Sequence, residues 1–581
     1  MGGAWLFGGG DSSVPAGGGD LTVKEREGEK LKAPLRVLVL GGAGEIGLNC
    51  LVFEQRGELL LIDCGMDFPE DQLLGVEVMI PDLSWVMARK EQLKAVLLTH
   101  GHEDHIGGLP FLLREVDVPV YATRLTLGLV QEKLRERKLL KKSRLMEVSA
   151  GERRKIGGFE VEFIQSSHSI ADVVAIALRC EQGIVLHSGD FKLDPTPVDG
   201  RRMDLNALAR LGEEGVLAFF SDSTNVEQAG YTPSEREVGK ALYEIFEKSG
   251  GRIIVALFAS HIHRIQQVID AAHALGRKVM ITGRSMEANT HIARELGYLA
   301  IPSHILVSPG QARSLAGEKL VVITTGSQGE PLSALSRMVR GAHKQLKIVP
   351  GDTVIFSSKF IPGNERAIQN LINELYRQGA EVFYETVSEI HCSGHASQEE
   401  LKFVMGLVKP RFFIPIHGEY RHLVKHKQLA VQNGLKDEQC LVVEDGMMIE
   451  FSGQGARVTE KLELEPEYLD GLRWEVPGEV LKERQKLAGA GVVSASVSVS
   501  KTAKRRLSPV RLDCAGVAGE HEQERLLEEA GRCCEEKLDW LLKQGKDSLP
   551  EMEEELRAEL RRYFKRRLAR KPLFLVAIHE S

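Results

Sequence analysis

The stretch Thr99-His100-Gly101-His102-Glu103-Asp104-His105-Ile106-Gly107-Gly108 decides how the rest of the chain is read. It sets three imidazoles and a carboxylate at i, i+2, i+4 and i+5, directly after the apolar run Ala95-Val96-Leu97-Leu98. That run has the length and composition of a buried strand. A strand end delivers side chains into the crevice above a sheet, and the Gly-Gly exit gives the loop room to turn a second pair towards the same space. Four nitrogen and carboxylate donors on one loop suit zinc or a similar divalent ion, and their division into two pairs suits two ions sharing a site.

Outward from this loop the same pattern recurs. Val161-Glu162-Phe163-Ile164 precedes Ser166-Ser167-His168, and Ile184-Val185-Leu186-His187 precedes Ser188-Gly189-Asp190. Val216-Leu217-Ala218-Phe219-Phe220 runs into Ser221-Asp222, and Phe412-Phe413-Ile414-Pro415-Ile416 into His417. A single histidine at a strand end is more often structural than a ligand. Several, each at the end of an apolar run, form a candidate donor set. Upstream, Gly41-Gly42-Ala43-Gly44-Glu45-Ile46-Gly47 has the look of a dinucleotide-binding turn. The next apolar run begins at Cys50, which leaves no room for the helix such a turn must open.

The HxHxDH loop after a strand resembles the metal loop of the metallo-β-lactamase superfamily. The form Thr-His-Gly-His-Glu-Asp-His-Ile-Gly-Gly is similar to that of the ribonuclease J family. Between Asp222 and the later His391-Cys392-Ser393-Gly394-His395 lies a stretch of about 150 residues, 233–382, of alternating strands and helices, the rhythm of a parallel α/β domain. An α/β insertion between a strand-end Asp and two late histidine motifs resembles the β-CASP group, the nucleic-acid-processing branch of that superfamily. The resemblance runs from about residue 35 to the end, strongly through Tyr420 and more weakly in the C-terminal part.

The resemblance implies an α/β fold, a metallo-β-lactamase αββα sandwich with an inserted β-CASP parallel α/β domain and a small α+β C-terminal domain. The expected divisions are a tail over 1–34, the sandwich over 35–232 and 383–457, the insertion over 233–382, and a linker with the C-terminal domain over 458–581. It implies two Zn2+ ions, with Mn2+ an open alternative, since His/Asp sites accept both. On that resemblance His100, His102 and His168 hold one ion, Asp104, His105 and His417 the other, and Asp190 bridges them, with Asp63 as a supporting partner. Asp222 and His395 match its acid/base pair, and a histidine at His417 matches members that cut RNA. Ala259, Ser260 and His261, with His391, Cys392, Ser393, Gly394 and His395, match its substrate-binding stretches. A structural Ca2+ site would fall on Gly75, Glu77 and Asp470.

The function so implied is a 5′-to-3′ exoribonuclease on 5′-monophosphorylated single-stranded RNA that also cuts internally, acting in RNA maturation and decay. Its expected form is a homodimer or homotetramer, with partners in an RNA-degradation complex. The runner-up is a purely endonucleolytic β-CASP enzyme. A thioester or lactam hydrolase would use the metal loop but leave the insertion and both late histidine motifs without a task. Composition agrees with an enzyme more than with a polyanion-coating protein: the net charge is -7, with 27% charged residues. Eight cysteines without a CxxC pair fit a reduced, cytoplasmic setting. No apolar run long enough for a membrane span and no leader pattern are present, so no membrane partner is expected. Lys501 to Arg506 is expected to be a solvated basic loop.

Overall fold

The computed structural model describes residues 32–69, 75–360, 364–384, 390–470, 474–546 and 548–581. The expected N-terminal tail lies almost wholly outside them. Two mixed sheets face each other across the first core. One has eight strands, in the order Gly455–Lys461, Met447–Ser452, Leu35–Gly41, Cys50–Gln55, Glu58–Ile62, Leu93–Leu97, Pro119–Ala122, Arg144–Glu147. The other has six, in the order Phe412–Ile416, Val216–Asp222, Gly183–His187, Val174–Cys180, Phe159–Gln165, Arg153–Ile156. Phe53, Leu60 and Leu97 from the first sheet meet Phe163, Ile176 and Phe220 from the second, all buried. At about 1.5–3 kcal/mol per buried large apolar side chain, this interior holds the sandwich closed. The strand Gly455–Lys461 carries the sandwich a few residues past 457.

Register explains why the loops of interest share one rim. Glu58–Ile62 pairs in parallel with Leu93–Leu97, Gly183–His187 with Val216–Asp222, and Val216–Asp222 with Phe412–Ile416. Parallel neighbours end on the same side, so Asp63, the 99–105 loop, Asp190, Asp222 and His417 emerge together. The strand beside the metal loop gives way to a helix only after Ala122. Tyr121 and Ala122 finish the strand Pro119–Ala122, because Val120 and Ala122 are needed in the core, and the helix is Arg124–Glu136.

Residues 63–66 lie along the metal loop with unusually close backbone contact. Cys64 N donates to His105 O at 2.8 Å, Met66 N to Glu103 O at 3.1 Å, and Gly108 N to Cys64 O at 2.9 Å. A Cβ on Gly65 would fall 1.8 Å from Asp104 O, so only glycine fits there.

The inserted domain is a five-stranded, wholly parallel sheet in the order Lys278–Thr282, Leu320–Thr324, Ile253–Ala256, Thr353–Phe356, Glu381–Phe383, with helices that include Ile262–Ala274 and Glu365–Arg377. At the C-terminus, helices Glu520–Lys543 and Leu549–Leu568 cover one face of a sheet centred on Val492–Ser500. The alternation Val493, Ala495, Val497, Val499 supplies the buried face. Lys501 in the adjoining turn is ion-paired to Glu580, and Arg506 in the short strand Arg505–Arg506 to Glu535 and Asp539. Among the described residues no helix is long and apolar enough to cross a membrane.

Gly65→Ala is expected to destabilise the sandwich by about 1–3 kcal/mol through overpacking against the Asp104 carbonyl. Thermal unfolding checks this, and an unchanged midpoint would show that the two segments separate freely.

Candidate metal centre

Seven of the predicted donors converge. His102 Nδ1 lies 3.0 Å from His100 Nε2 and 3.2 Å from His168 Nε2. Asp190 Oδ2 stands 3.6 Å from His100 Nε2 and 3.5 Å from His168 Nε2. The other carboxylate oxygen, Asp190 Oδ1, is 3.3 Å from both His105 Nε2 and His417 Nε2. Asp104 Oδ2 completes that side, 3.6 Å from His105 Nε2 and 3.3 Å from His417 Nε2. Asp190 therefore faces one donor set with each oxygen.

The far nitrogens of four imidazoles are held from behind, which fixes ring orientation and the tautomer offered to the centre. His105 Nδ1 is 2.8 Å from Asp63 Oδ2, and Asp63 also accepts from Thr99 N and Thr99 Oγ1, each at 2.8 Å. His100 Nδ1 meets Thr99 Oγ1 at 3.0 Å, His168 Nδ1 meets Gly394 O at 2.6 Å, and His417 Nδ1 meets Thr224 Oγ1 at 2.6 Å. His417 and Asp63 both adopt left-handed backbone, φ +54° and +59°. Strain of this kind persists where surrounding contacts dictate the conformation.

Burial holds His100 and His168 well below the ordinary histidine range and His102 at about 4, so these imidazoles are neutral with lone pairs available. Burial also pushes on His105 and His417, but the surrounding carboxylates outweigh it, lifting His105 well above its usual value and His417 to about 9. The second donor set thus calls for positive charge. Among the described residues His417 Nε2 is buried without a hydrogen-bond partner. Lone pairs crowded this closely repel unless a cation sits among them, so both donor sets fit divalent metal.

His395 stands at the mouth beside both sets. Its Nδ1 is 2.8 Å from Asp222 Oδ2, while its side chain is 19% exposed and that of Asp222 only 1%. The ring of His395 lies against those of His168 and His417, with centroids 4.8 and 5.4 Å away.

The two predicted substrate-binding segments come together through a residue that the motifs did not single out, Glu235. Its carboxylate accepts from Arg264 Nε at 2.6 Å and from the Cys392 thiol at 2.8 Å, and lies 3.5 Å from His261 Nε2. Arg264 in turn donates to Ile390 O at 2.8 Å. Burial alone would raise the Glu235 carboxyl, but the Arg264 guanidinium, with Lys192 also nearby, holds it well below the usual carboxylate range. Cys392 therefore contributes its side chain, and burial pushes its thiol up to about 12. His261 caps the helix Ile262–Ala274, with Ala259 and Ser260 half-buried just before it. Ser393 Oγ accepts from His395 N at 3.2 Å, and the Gly394 carbonyl is taken by His168. Glu400, fully buried, accepts from Leu193 N, Thr232 N and Ser397 N at 2.7–2.8 Å and so ties three loops beneath His395. The Ser397/Glu400 capping-box spacing was the available sequence signal for it. Glu235 left no such signal.

The Gly75, Glu77 and Asp470 group does not fit a cation. Arg484 donates to Gly75 O at 3.0 Å and to Asp470 Oδ2 at 2.8 Å, so a guanidinium already supplies the positive charge, while Glu77 is exposed. Arg484 thus stands among the residues expected to hold Ca2+.

Four family models match the chain: Metallo-beta-lactamase superfamily over 43–229, Ribonuclease J, beta-CASP domain over 250–375, Zn-dependent metallo-hydrolase RNA specificity domain over 379–442, and Ribonuclease J C-terminal domain over 479–581. The chain is 41% identical over 556 residues to Ribonuclease J of Synechocystis sp., covering 94% of this chain and 86% of that one. It is 43% identical over 467 residues to Ribonuclease J of Thermus thermophilus (79% and 81% covered) and 36% identical over 547 residues to Ribonuclease J2 of Bacillus subtilis (94% and 98% covered). A crystal structure of an Enterococcus faecalis protein of unknown function has a similar fold, with a TM-score of 0.52 at 14% identity, covering 72% of this chain and 100% of that one.

His102→Ala and Asp190→Ala are each expected to lose bound transition metal, read by elemental analysis, with circular dichroism unchanged. Full metal content in both would contradict the donor assignment. Glu235→Gln leaves Arg264 buried without its counter-charge and is expected to cost about 3–5 kcal/mol. A denaturant midpoint equal to wild type would show that Glu235 does not brace the two segments.

Proposed function

The chain belongs to the ribonuclease J family and is a metal-dependent ribonuclease, and from that premise we propose that it degrades single-stranded RNA from a 5′-monophosphate end and also cuts internally. The observation that carries this is Asp190, set between two donor sets with one oxygen towards each. His100, His102 and His168 would hold one divalent ion, and Asp104, His105 and His417 a second, with Asp190 shared. Two such ions supply Lewis acidity to a phosphodiester and acidify water towards neutral pH. Zinc suits the histidine-rich set, and Mn2+ suits the second set equally well.

The chain's own residues supply the remaining work. Asp222 orients His395 through Nδ1, which leaves Nε2 to hold the proton that the departing 3′ oxygen needs. The partial exposure of the His395 side chain supports contact with a strand there. The 5′ end is proposed to sit against the 259–261 and 391–394 segments, which Glu235 and Arg264 brace together. Burial keeps the His391 ring at about 3, and among the described residues neither of its nitrogens has a partner, so it has hydrogen-bonding capacity to spare for an anionic oxygen. The start of the helix Ile262–Ala274 adds peptide N–H groups that favour phosphate.

Metal-loaded protein with 5′-labelled, monophosphorylated RNA should release mononucleotide, and should do so more slowly when the end is a 5′-hydroxyl. Cleavage at internal positions alone, at equal rates for both ends, would leave a purely endonucleolytic enzyme. His395→Ala should lower kcat by roughly 10²–10⁴ with KM little changed. Equal loss in kcat and in RNA affinity would contradict its place as proton donor.

A further inference from the structure

Over residues 133–144 the sequence carries seven cations, Lys133, Arg135, Arg137, Lys138, Lys141, Lys142 and Arg144, against a single acid, Glu136, in a chain whose net charge is -7. Cations near a helix C-terminus commonly answer the helix dipole, and Lys133 and Arg135 occupy the last turn of Arg124–Glu136. That explanation stops at the helix end. Lys138, Lys141 and Lys142 lie beyond it, all exposed, and among the described residues none of their ammonium groups has an ion pair or hydrogen bond. Their neighbours are anchored: Arg137 lies over the Phe111 ring, 4.1 Å from its centroid, and Arg144 is held by Asp117 at 2.9 Å. Three free ammonium groups are thus displayed on a fixed base, a repulsive arrangement that a polyanion would relieve.

The stripe also has a direction. It starts at Lys133, paired with Glu103 between the predicted metal ligands His102 and Asp104. The centre is open there, where the Asp104 side chain is 29% exposed and that of Glu103 47%. From this rim the basic residues lead outward along the turn that follows the helix, to the outer strand Arg144–Glu147.

We propose that Lys138, Lys141 and Lys142 form an exosite for the phosphate backbone of single-stranded RNA, engaging the part of a long chain that lies outside the metal centre. The proposal rests on RNA being the substrate, but it concerns affinity for long chains and not the cleavage step. An acidic protein is the competing occupant, disfavoured because the stripe begins at the rim where RNA must enter.

The test is the triple variant Lys138→Glu/Lys141→Glu/Lys142→Glu, with Lys138→Gln/Lys141→Gln/Lys142→Gln as a milder control for folding. On metal-loaded protein, Kd is measured for RNA with uncleavable phosphorothioate linkages, at lengths of about thirty and about five nucleotides, the shorter being within the reach of one compact site. The long chain should bind about tenfold more weakly, and its log Kd against log salt should be shallower by about 2, the release expected for three contacts on a single strand. The short chain should bind as in wild type. Unchanged affinity for the long chain, or an equal loss at both lengths, overturns the exosite. Failure of the functional reading would show separately, as wild-type protein that leaves ordinary RNA of both lengths uncut.

Discussion

The structure is organised around a repulsion. Imidazole nitrogens with free lone pairs and the oxygens of Asp104 and Asp190 stand within 3.0–3.6 Å of one another in a buried space. Without metal ions protons must stand in for them, as the raised His105 and His417 show, and even so His417 Nε2 finds no hydrogen-bond partner among the described residues. With a divalent ion in each set, the same crowding becomes coordination. Asp190 is the hinge of this arrangement, since neither set is complete without it.

Much of the surrounding fold can be understood as resisting that repulsion. Parallel strand pairing brings five loop segments from distant parts of the sequence to one rim, and the 63–66 segment locks the metal loop at a separation that only Gly65 permits. Asp63, Thr99, Thr224 and the Gly394 carbonyl grip the far side of four rings. Farther out, Glu400 ties the loops under His395 through three backbone amides, and Glu235 binds the inserted domain's helix start to the 390–392 segment through Arg264 and Cys392. A buried carboxylate is tolerable in each place because it is fully occupied by donors.

The donors were legible because each follows a short apolar run, and the period of such runs is a local signal. The inserted sheet showed itself for the same reason. Contacts that depend on the folded chain were not. Glu235 meets Arg264 and Cys392 across 29 and 157 residues, and no periodicity records such a pairing. Arg484 sits 409 residues from the Gly75 carbonyl it bridges, so a cation site carried over from the family resemblance could not register the guanidinium that stands there. Tyr121 and Ala122 fit a helix as well as a strand by type, and only the packing of Val120 and Ala122 sets the strand's end ahead of the helix at Arg124.

Anomalous diffraction at the zinc or manganese absorption edge, from crystals of protein purified without chelator, tests the central claim most directly. Two peaks about 3.5–4 Å apart, one on each side of the Asp190 carboxylate, are the predicted result. A single peak, or none after soaking in excess zinc and manganese, would contradict the account of paired donor sets sharing one carboxylate.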